Sequence, residues 1–482
     1  MHFRVILRII GTLLMVFSLT LLVPAILGWF AKDGAAGAFI QAFFVTFSSG
    51  TVMWLFVRKQ RNDLNIRDGF LIVALFWGVL GLFGALPFAL AEATQLSPSD
   101  AIFESISGLT TTGATVITGL DELPISILFY RQLLQWLGGI GIIVIAVAIL
   151  PILGVGGMQL YKAETPGPVK DSKITPRITG TAKILFFIYL NLTLACGFCY
   201  WIAGMSAFDA ICHAFSTVAI GGFSTHDASL GYFNSPAILL IASVFMVLAA
   251  INFAIHFVVW RAKNPLKYFE DSEARFYLTS LLLSCLVCSA FLIHEKVYSF
   301  SDGLLMGVFH TISIATTTGF AATNFSAWPS FLPIFLILLS FMGGCAGSTG
   351  GGIKVVRIML MAKQGVRELS QLVHPHAVIP LKVGSRRVEA KVVSAVWSFF
   401  AVYMFSFLII LLLGQATGLD YTTAFSATAA MLNNLGPGLG DVAAHYGDIS
   451  SSTKWLFSLS MLLGRLEVFT LLLLFTPAFW RA

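Results

Sequence analysis

Hydrophobic positions in this chain fall in long unbroken runs, not in alternating or one-sided patterns. An apolar run of about 20 residues crosses a bilayer as a helix, and the long runs allow about ten such helices. A membrane β-barrel would show short alternating segments instead. The first run, residues 5–30, follows Met1-His2-Phe3-Arg4 as a signal peptide would. It is longer than the apolar core of about 7–15 residues in such peptides, so it reads as the first membrane helix. The polar turn Ala31-Lys32-Asp33-Gly34 leads into a second helix that ends near Val57.

From residue 68 a three-part unit recurs four times. Each unit has a long apolar helix, a half-length helix with a Gly-containing loop, and a second long helix. In the first, the helices are 68–92 and 125–152, with half-helix 99–109 and loop Thr110-Thr111-Thr112-Gly113-Ala114. In the second they are 184–205 and 236–260, with half-helix 208–218 and loop Ala219-Ile220-Gly221-Gly222-Phe223. In the third they are 276–294 and 331–360, with half-helix 303–315 and loop Thr316-Thr317-Thr318-Gly319-Phe320. In the fourth they are 392–416 and 453–478, with half-helix 421–432 and loop Asn433-Asn434-Leu435-Gly436-Pro437. The chain thus divides into two extra N-terminal helices (1–67), repeats one to three (68–160, 161–265, 266–370), and a basic loop with repeat four (371–482). Asp100, Asp209, Asp302 and Asp420 stand where the half-helices begin, and Asp suits an N-cap and the positive end of the helix dipole. Glu104, His213 and His310 recur at matching distances before their loop glycines. They read as local hydrogen-bonding groups in preference to a metal or proton site.

Composition agrees with an all-α polytopic membrane protein. The chain has 482 residues, 57% of them hydrophobic and 11% charged, and its mean hydropathy is +0.87. Soluble domains carry roughly 25% charged residues. A net charge of +6 could suggest nucleic acid, but the positions of Lys and Arg exclude it. They cluster at Arg58-Lys59-Gln60-Arg61 and between repeats: Lys162, Lys170, Lys173, Arg177 and Lys183; Arg261, Lys263, Lys267 and Arg275; Lys363, Arg367, Lys382, Arg386, Arg387 and Lys391. The half-helix segments carry the acids Glu92, Asp121, Glu122, Asp227, Glu295, Asp441 and Asp448. The positive-inside rule then places both termini in the cytoplasm and all four half-helices at the outer face. Cys196/Cys199 and Cys285/Cys288 have CxxC spacing inside apolar runs and read as small buried hydrophobes, not redox or zinc groups. No buried Ser/Lys pair, facing aspartates or HExxH is present, so the chain does not read as an enzyme.

The recurring loops carry the candidate chemistry. Each repeat has two complete spans, so all four insert in one orientation and can close around an axis along the membrane normal. Inverted repeats would alternate. Irregular backbone at membrane depth belongs where protein covers it or water reaches it, and four such loops at one depth form a ring around a pore. The candidate filter is Thr111, Thr112, Gly113, Ile220, Gly221, Gly222, Thr317, Thr318, Gly319, Asn434, Leu435 and Gly436. It has no carboxylate side chain, so backbone carbonyls are the ligands. That favours a large monovalent cation such as K⁺, with Rb⁺ and Na⁺ left open by geometry alone.

Two further features belong beneath this ring. The break Gly343-Gly344-Cys345-Ala346-Gly347-Ser348-Thr349-Gly350-Gly351-Gly352 interrupts an apolar helix, where each Gly costs about 1 kcal/mol relative to Ala. It reads as a mobile gate loop, with close packing through small residues as the alternative. Lys354 does not complete a phosphate-binding GxxxxGK motif, and it reads as an anchor at the cytoplasmic end of its span. Arg465 lies in an apolar run, where a charge is costly and usually functional. It reads as a positive barrier in the pore, with burial against Glu467 or another carboxylate as the alternative. His374-Pro375-His376, in a basic loop, reads as part of a docking surface.

Together, the four units, Gln135-Trp136-Leu137-Gly138-Gly139-Ile140-Gly141, Gly347-Ser348-Thr349-Gly350-Gly351-Gly352-Ile353-Lys354 and Gly464-Arg465-Leu466-Glu467 resemble the Trk/Ktr/HKT superfamily of K⁺ transporters. Within it, the whole chain is most similar to the TrkH/TrkG branch of bacterial potassium-uptake subunits. The resemblance implies four M1–P–M2 repeats and filter glycines at Gly113, Gly222, Gly319 and Gly436. It also implies an intramembrane gate at Gly343–Gly352 and a pore arginine at Arg465. Gly113 resembles K⁺-selective members, whereas Na⁺-selective plant relatives tend to carry Ser there. The fourth loop departs from the Thr-Thr-Gly pattern, which implies looser selectivity. The resemblance further implies a bacterial inner-membrane homodimer with one pore per protomer, seated on a cytosolic TrkA-like nucleotide-binding regulator of the RCK type. Since the chain has no dinucleotide fingerprint, NAD(H) or ATP/ADP control would come from that partner, and no cofactor is expected on the chain itself. A symporter coupling K⁺ to H⁺ or Na⁺ on the same scaffold is the alternative.

Overall fold

The computed structural model describes residues 1–57, 65–144, 178–384 and 386–481. The Arg58-Lys59-Gln60-Arg61 cluster, the end of the first repeat's second helix, and Lys162, Lys170, Lys173 and Arg177 lie outside these. Among the described residues the regular structure is helical apart from a two-stranded hairpin, Lys382–Val383 with Arg386–Arg387.

Among the described residues, six helices are long and apolar enough to cross a membrane: Phe3–Ala31, Ala36–Val57, Arg67–Leu90, Lys183–Ile202, Ser272–His294 and Ala390–Ala416. The second helices of the later repeats are broken. In repeat two, Pro236–Ala249 and Phe253–Ala262 meet at a 98° bend. In repeat three, Leu332–Leu339 and Val355–Val373 flank the glycine-rich loop. In repeat four, Ser451–Arg465 is followed by a break with positive φ at Glu467 and Val468, then by Phe469–Leu474.

The half-helices are Pro98–Leu109, Ala207–Ala219, Phe300–Ala315 and Tyr421–Asn433. At about 1.5 Å per residue each falls well short of a bilayer. Their starts correct the expected caps. Ser97, Ser206 and Ser299 are the N-caps of the first three and accept from the backbone N–H of Asp100, Asp209 and Asp302 at 3.3, 3.0 and 3.3 Å. Each Ser hydroxyl also donates to its Asp carboxylate, at 2.7, 2.7 and 2.8 Å. Only Asp420 is itself the cap, accepting from Thr422 and Thr423. Either arrangement satisfies otherwise orphaned N–H groups and puts negative charge at the positive end of the dipole.

The repeats pack cyclically. The second helix of repeat one lies against the half-helix of repeat two, and that of repeat two against the half-helix of repeat three. The second helix of repeat three lies against the half-helix of repeat four, and that of repeat four returns to the half-helix of repeat one. The half-helices therefore surround one axis, and their C-terminal loops converge on it.

Candidate functional site

The four loops share one backbone conformation. Positive φ recurs at Thr111 and Gly113 (53° and 81°), Ile220 and Gly222 (56° and 78°), Thr317 and Gly319 (67° and 85°), and Asn434 and Gly436 (54° and 95°). The intervening residue donates its N–H five residues back: Thr112 to Ser107 (2.9 Å), Gly221 to Ser216 (2.8 Å), Thr318 to Ser313 (2.9 Å) and Leu435 to Ala430 (2.8 Å). Positive φ is rare for β-branched residues, yet Thr111, Ile220 and Thr317 adopt it. Such strain persists where surrounding structure imposes it, commonly at functional sites.

The glycines close the ring. A Cβ on Gly113 would strike the carbonyl oxygen of Gly221, one on Gly222 that of Thr318, and one on Gly319 that of Leu435. A Cβ on Gly436 would lie 2.7 Å from the oxygen of Thr112. Each repeat thus abuts the next, and the fourth returns to the first. All four glycines line one cavity of about 390 Å³ on the side of the ring where the loops continue, together with Arg131, Ser224, His226 and Asp227.

Side chains behind the ring hold it in place. Gln135 donates to Gly221 O (2.6 Å) and accepts from Phe223 N (3.1 Å). Hydroxyl pairs Thr110–Thr112 and Thr316–Thr318, each 2.8 Å, brace the first and third loops. The fourth loop departs from the Thr pattern without losing support, because Asn434 Nδ2 reaches Thr112 Oγ1 (3.0 Å) and Met461 O (2.9 Å). The buried Tyr446 hydroxyl donates to Gly436 O at 2.8 Å. Removing it, as Tyr446→Phe, costs about 1 kcal/mol. The expected result is a folded protein whose ion selectivity drops a few-fold, read from the shift in zero-current voltage between two alkali cations.

Glu104, His213 and His310 make the local hydrogen bonds expected of them. His213 joins Asp209 O and Ser224 Oγ, each at 2.9 Å. His310 Nδ1 pairs with Met306 O (3.0 Å), and its Nε2 faces Ala322 N (3.2 Å). Glu104 accepts from Val116 N (2.9 Å) and pairs with Arg131 Nε at 2.8 Å. The sequence reading missed Arg131, which is 1% exposed. It also donates to Ser224 O (2.9 Å) and lies 4.2 Å from the Phe223 ring centroid, which ties the first loop's descending strand to the second. Two opposite charges in apolar segments were the available signal.

The glycine-rich loop lies directly under the ring. Gly351 N donates to Thr317 Oγ1 (2.8 Å) and Gly352 N to Asn433 O (3.1 Å). Thr349 Oγ1 donates to Val218 O at 3.0 Å. A Cβ on Gly351 would strike Asn433 O, so the glycines permit contact with the ring's underside. Gly343, Gly344, Cys345, Ala346, Gly347, Ser348, Thr349, Gly350, Gly351 and Gly352 form turns and bends between the two helical parts of this span.

Arg465 points into this loop. Its Nη1 donates to Thr349 O (3.2 Å) and its Nη2 to Gly138 O (3.4 Å), with Trp77 alongside. Glu467 pairs with Arg357 at 2.7 Å. Among the described residues no carboxylate forms an ion pair with Arg465. Lys354 is also not the peripheral anchor expected, because its ammonium donates to Gly350 O within the loop.

Comparison with known proteins matches residues 35–482 to the family model described as "TrkH: Cation transport protein". The chain is 56% identical over 485 residues to the Trk system potassium uptake protein TrkH of Vibrio parahaemolyticus, covering 100% of both. It is 56% identical over 481 residues to the protein of that name in Halomonas elongata, again covering 100% of both. The crystal structure of the potassium transporter TrkH from Vibrio parahaemolyticus superposes with a TM-score of 0.92 at 53% identity, over 100% of each chain.

Proposed function

The chain belongs to the TrkH family of cation transport proteins, and we propose on that premise that it takes up potassium through the ring formed by its four loops. The observation that carries this reading is the closure of the ring: Gly113 against Gly221, Gly222 against Thr318, Gly319 against Leu435, and Gly436 against Thr112. Four equivalent backbone turns around one axis offer carbonyl oxygens in place of a cation's water shell. Thr111, Thr112, Gly113, Ile220, Gly221, Gly222, Thr317, Thr318, Gly319, Asn434, Leu435 and Gly436 are the filter in this reading. The Gly343–Gly352 loop is the gate, and Arg465 is a fixed positive charge on the path. The division of the chain at residues 67, 160, 265 and 370 follows the repeats.

A K⁺/H⁺ or K⁺/Na⁺ symporter would need a titratable relay. Glu104, His213 and His310 are engaged in bonds that shape the loops beyond the filter, which favours passive permeation. We further propose a bacterial inner-membrane homodimer with cytoplasmic termini, one pore per protomer, regulated by a TrkA-like RCK subunit. That subunit would supply any NAD(H) or ATP/ADP response and dock on the basic surface that includes Lys363, Arg367, Lys382 and Arg387. Expression in a bacterium lacking its own potassium uptake should restore growth on low-potassium medium. Failure to do so, with the protein present in the membrane, would contradict the reading.

A further inference from the structure

The gate loop is held toward the ring by Gly351 and Gly352, and toward the pore by Arg465. A buried carboxylate that the transport reading does not use holds its far side. Glu273 stands in the first turn of Ser272–His294, the first helix of repeat three, and is 2% exposed. Its Oε1 accepts from the backbone N–H of Ala346 at 2.7 Å. Asp271 fixes the turn that carries it, accepting from Glu273 N (3.0 Å) and Ala274 N (2.9 Å). Across the loop, the bend in repeat two is interleaved with the same segment: Cys345 N donates to Ala250 O (2.8 Å) and Phe253 N to Gly347 O (3.1 Å).

Burying a carboxylate is costly unless it is hydrogen-bonded, and a bond from N–H to a carboxylate is about twice as strong as a neutral one. Ala346 belongs to the loop, whereas Glu273 belongs to a span. With the loop in its present position the carboxylate faces Ala346 N–H from the loop, beside Val356 N–H from the helix that follows. A displaced loop would leave that carboxylate buried without Ala346 N–H. The bond therefore favours one loop position over others.

We propose that Glu273 is a gating residue, whose carboxylate holds the Gly343–Gly352 loop beneath the filter through Ala346 N–H. This rests on the reading of that loop as the gate. It assigns Glu273 a positioning role and no contact with the ion.

The test uses the full chain in liposomes, with potassium flux normalised to monodisperse reconstituted protein. Glu273→Ala should raise flux in the absence of any regulator by about tenfold, by removing a hydrogen bond to a charged group. Glu273→Gln keeps an acceptor oxygen but loses the charge, so about threefold is expected. The zero-current voltage between K⁺ and Na⁺ should not move in either variant, because the filter is untouched. Cys345 is fully buried in the same loop, so a membrane-impermeant maleimide, followed at that residue by mass spectrometry, should label both variants faster than the native chain. Native flux and native labelling in both variants would overturn the proposal. So would raised flux that passes Na⁺ as readily as K⁺, which marks a damaged filter. Should Glu273→Ala not fold, Glu273→Gln decides by the same readings. Gly351→Ala, measured in parallel, separates the two levels. If it changes flux while the Glu273 variants do not, only the role of Glu273 falls. If it too leaves flux native, the gate reading falls, and this proposal with it.

Discussion

Gly319→Ala is expected to abolish potassium-selective flux, while Gly34→Ala leaves it intact. The two glycines have nearly the same backbone, with φ of +85° and +82°. A left-handed conformation costs an L-residue about 1–2 kcal/mol, so both variants carry that strain. Their surroundings differ. A Cβ at Gly34 meets nothing within 4 Å, whereas one at Gly319 strikes the carbonyl oxygen of Leu435 and comes within 2.7 Å of Pro437 Cδ. Leu435 O is backbone of the neighbouring repeat and cannot swing aside as a flexible side chain would. Relief must come from opening the ring at the junction of repeats three and four. Uptake by Gly319→Ala should then fall to background, or pass Na⁺ and K⁺ alike. Uptake by Gly34→Ala should be native, with stability lowered by about 1 kcal/mol. Selective uptake by Gly319→Ala would mean that the tight junction is not the conducting element.

Arg465→Gln is expected to raise basal flux by about tenfold or more. Arg465 is nearly buried, and its two terminal nitrogens bond backbone carbonyls of the glycine-rich loop and of repeat one. In the proposed reading it would oppose ion passage in two ways: it fastens Thr349, and it would put a positive charge on the path. At 4 Å, two unit charges repel by about 1 kcal/mol in water and about 4 kcal/mol at an effective dielectric of 20, and 1.4 kcal/mol is a tenfold change. Gln removes the charge and shortens the reach to Thr349 O. Flux per reconstituted molecule is the measurement. Lower expression with native flux per molecule would assign Arg465 a packing role instead.

Much of this architecture is legible in the sequence because local rules govern it. The half-helices show as apolar runs too short to cross, and their ends show as Thr-Thr-Gly or its equivalents. The sequence pattern puts their caps three residues late in three repeats, because Ser97, Ser206 and Ser299 share the capping with the more conspicuous Asp100, Asp209 and Asp302. The breaks at Ala250–Asn252 and Glu467–Val468 lie within runs whose apolar pattern reads as continuous helix. Neither contains Gly or Pro. The first is held open by long-range bonds, Cys345 N to Ala250 O and Phe253 N to Gly347 O, which no local pattern reveals. Asn252, capping the lower helix through Ala254 N at 2.8 Å, was the one local sign. Lys354 and Glu273 are obscured in the same way, since their partners lie in the Gly343–Gly352 loop and not in adjacent turns.

The most direct test of a passive potassium pore is the zero-current voltage of liposomes holding only this chain, under a K⁺ gradient with no pH or Na⁺ gradient. The account predicts a value at the K⁺ Nernst potential that does not move when pH or Na⁺ is then changed on one side. A voltage that follows either change would show coupled transport and contradict it.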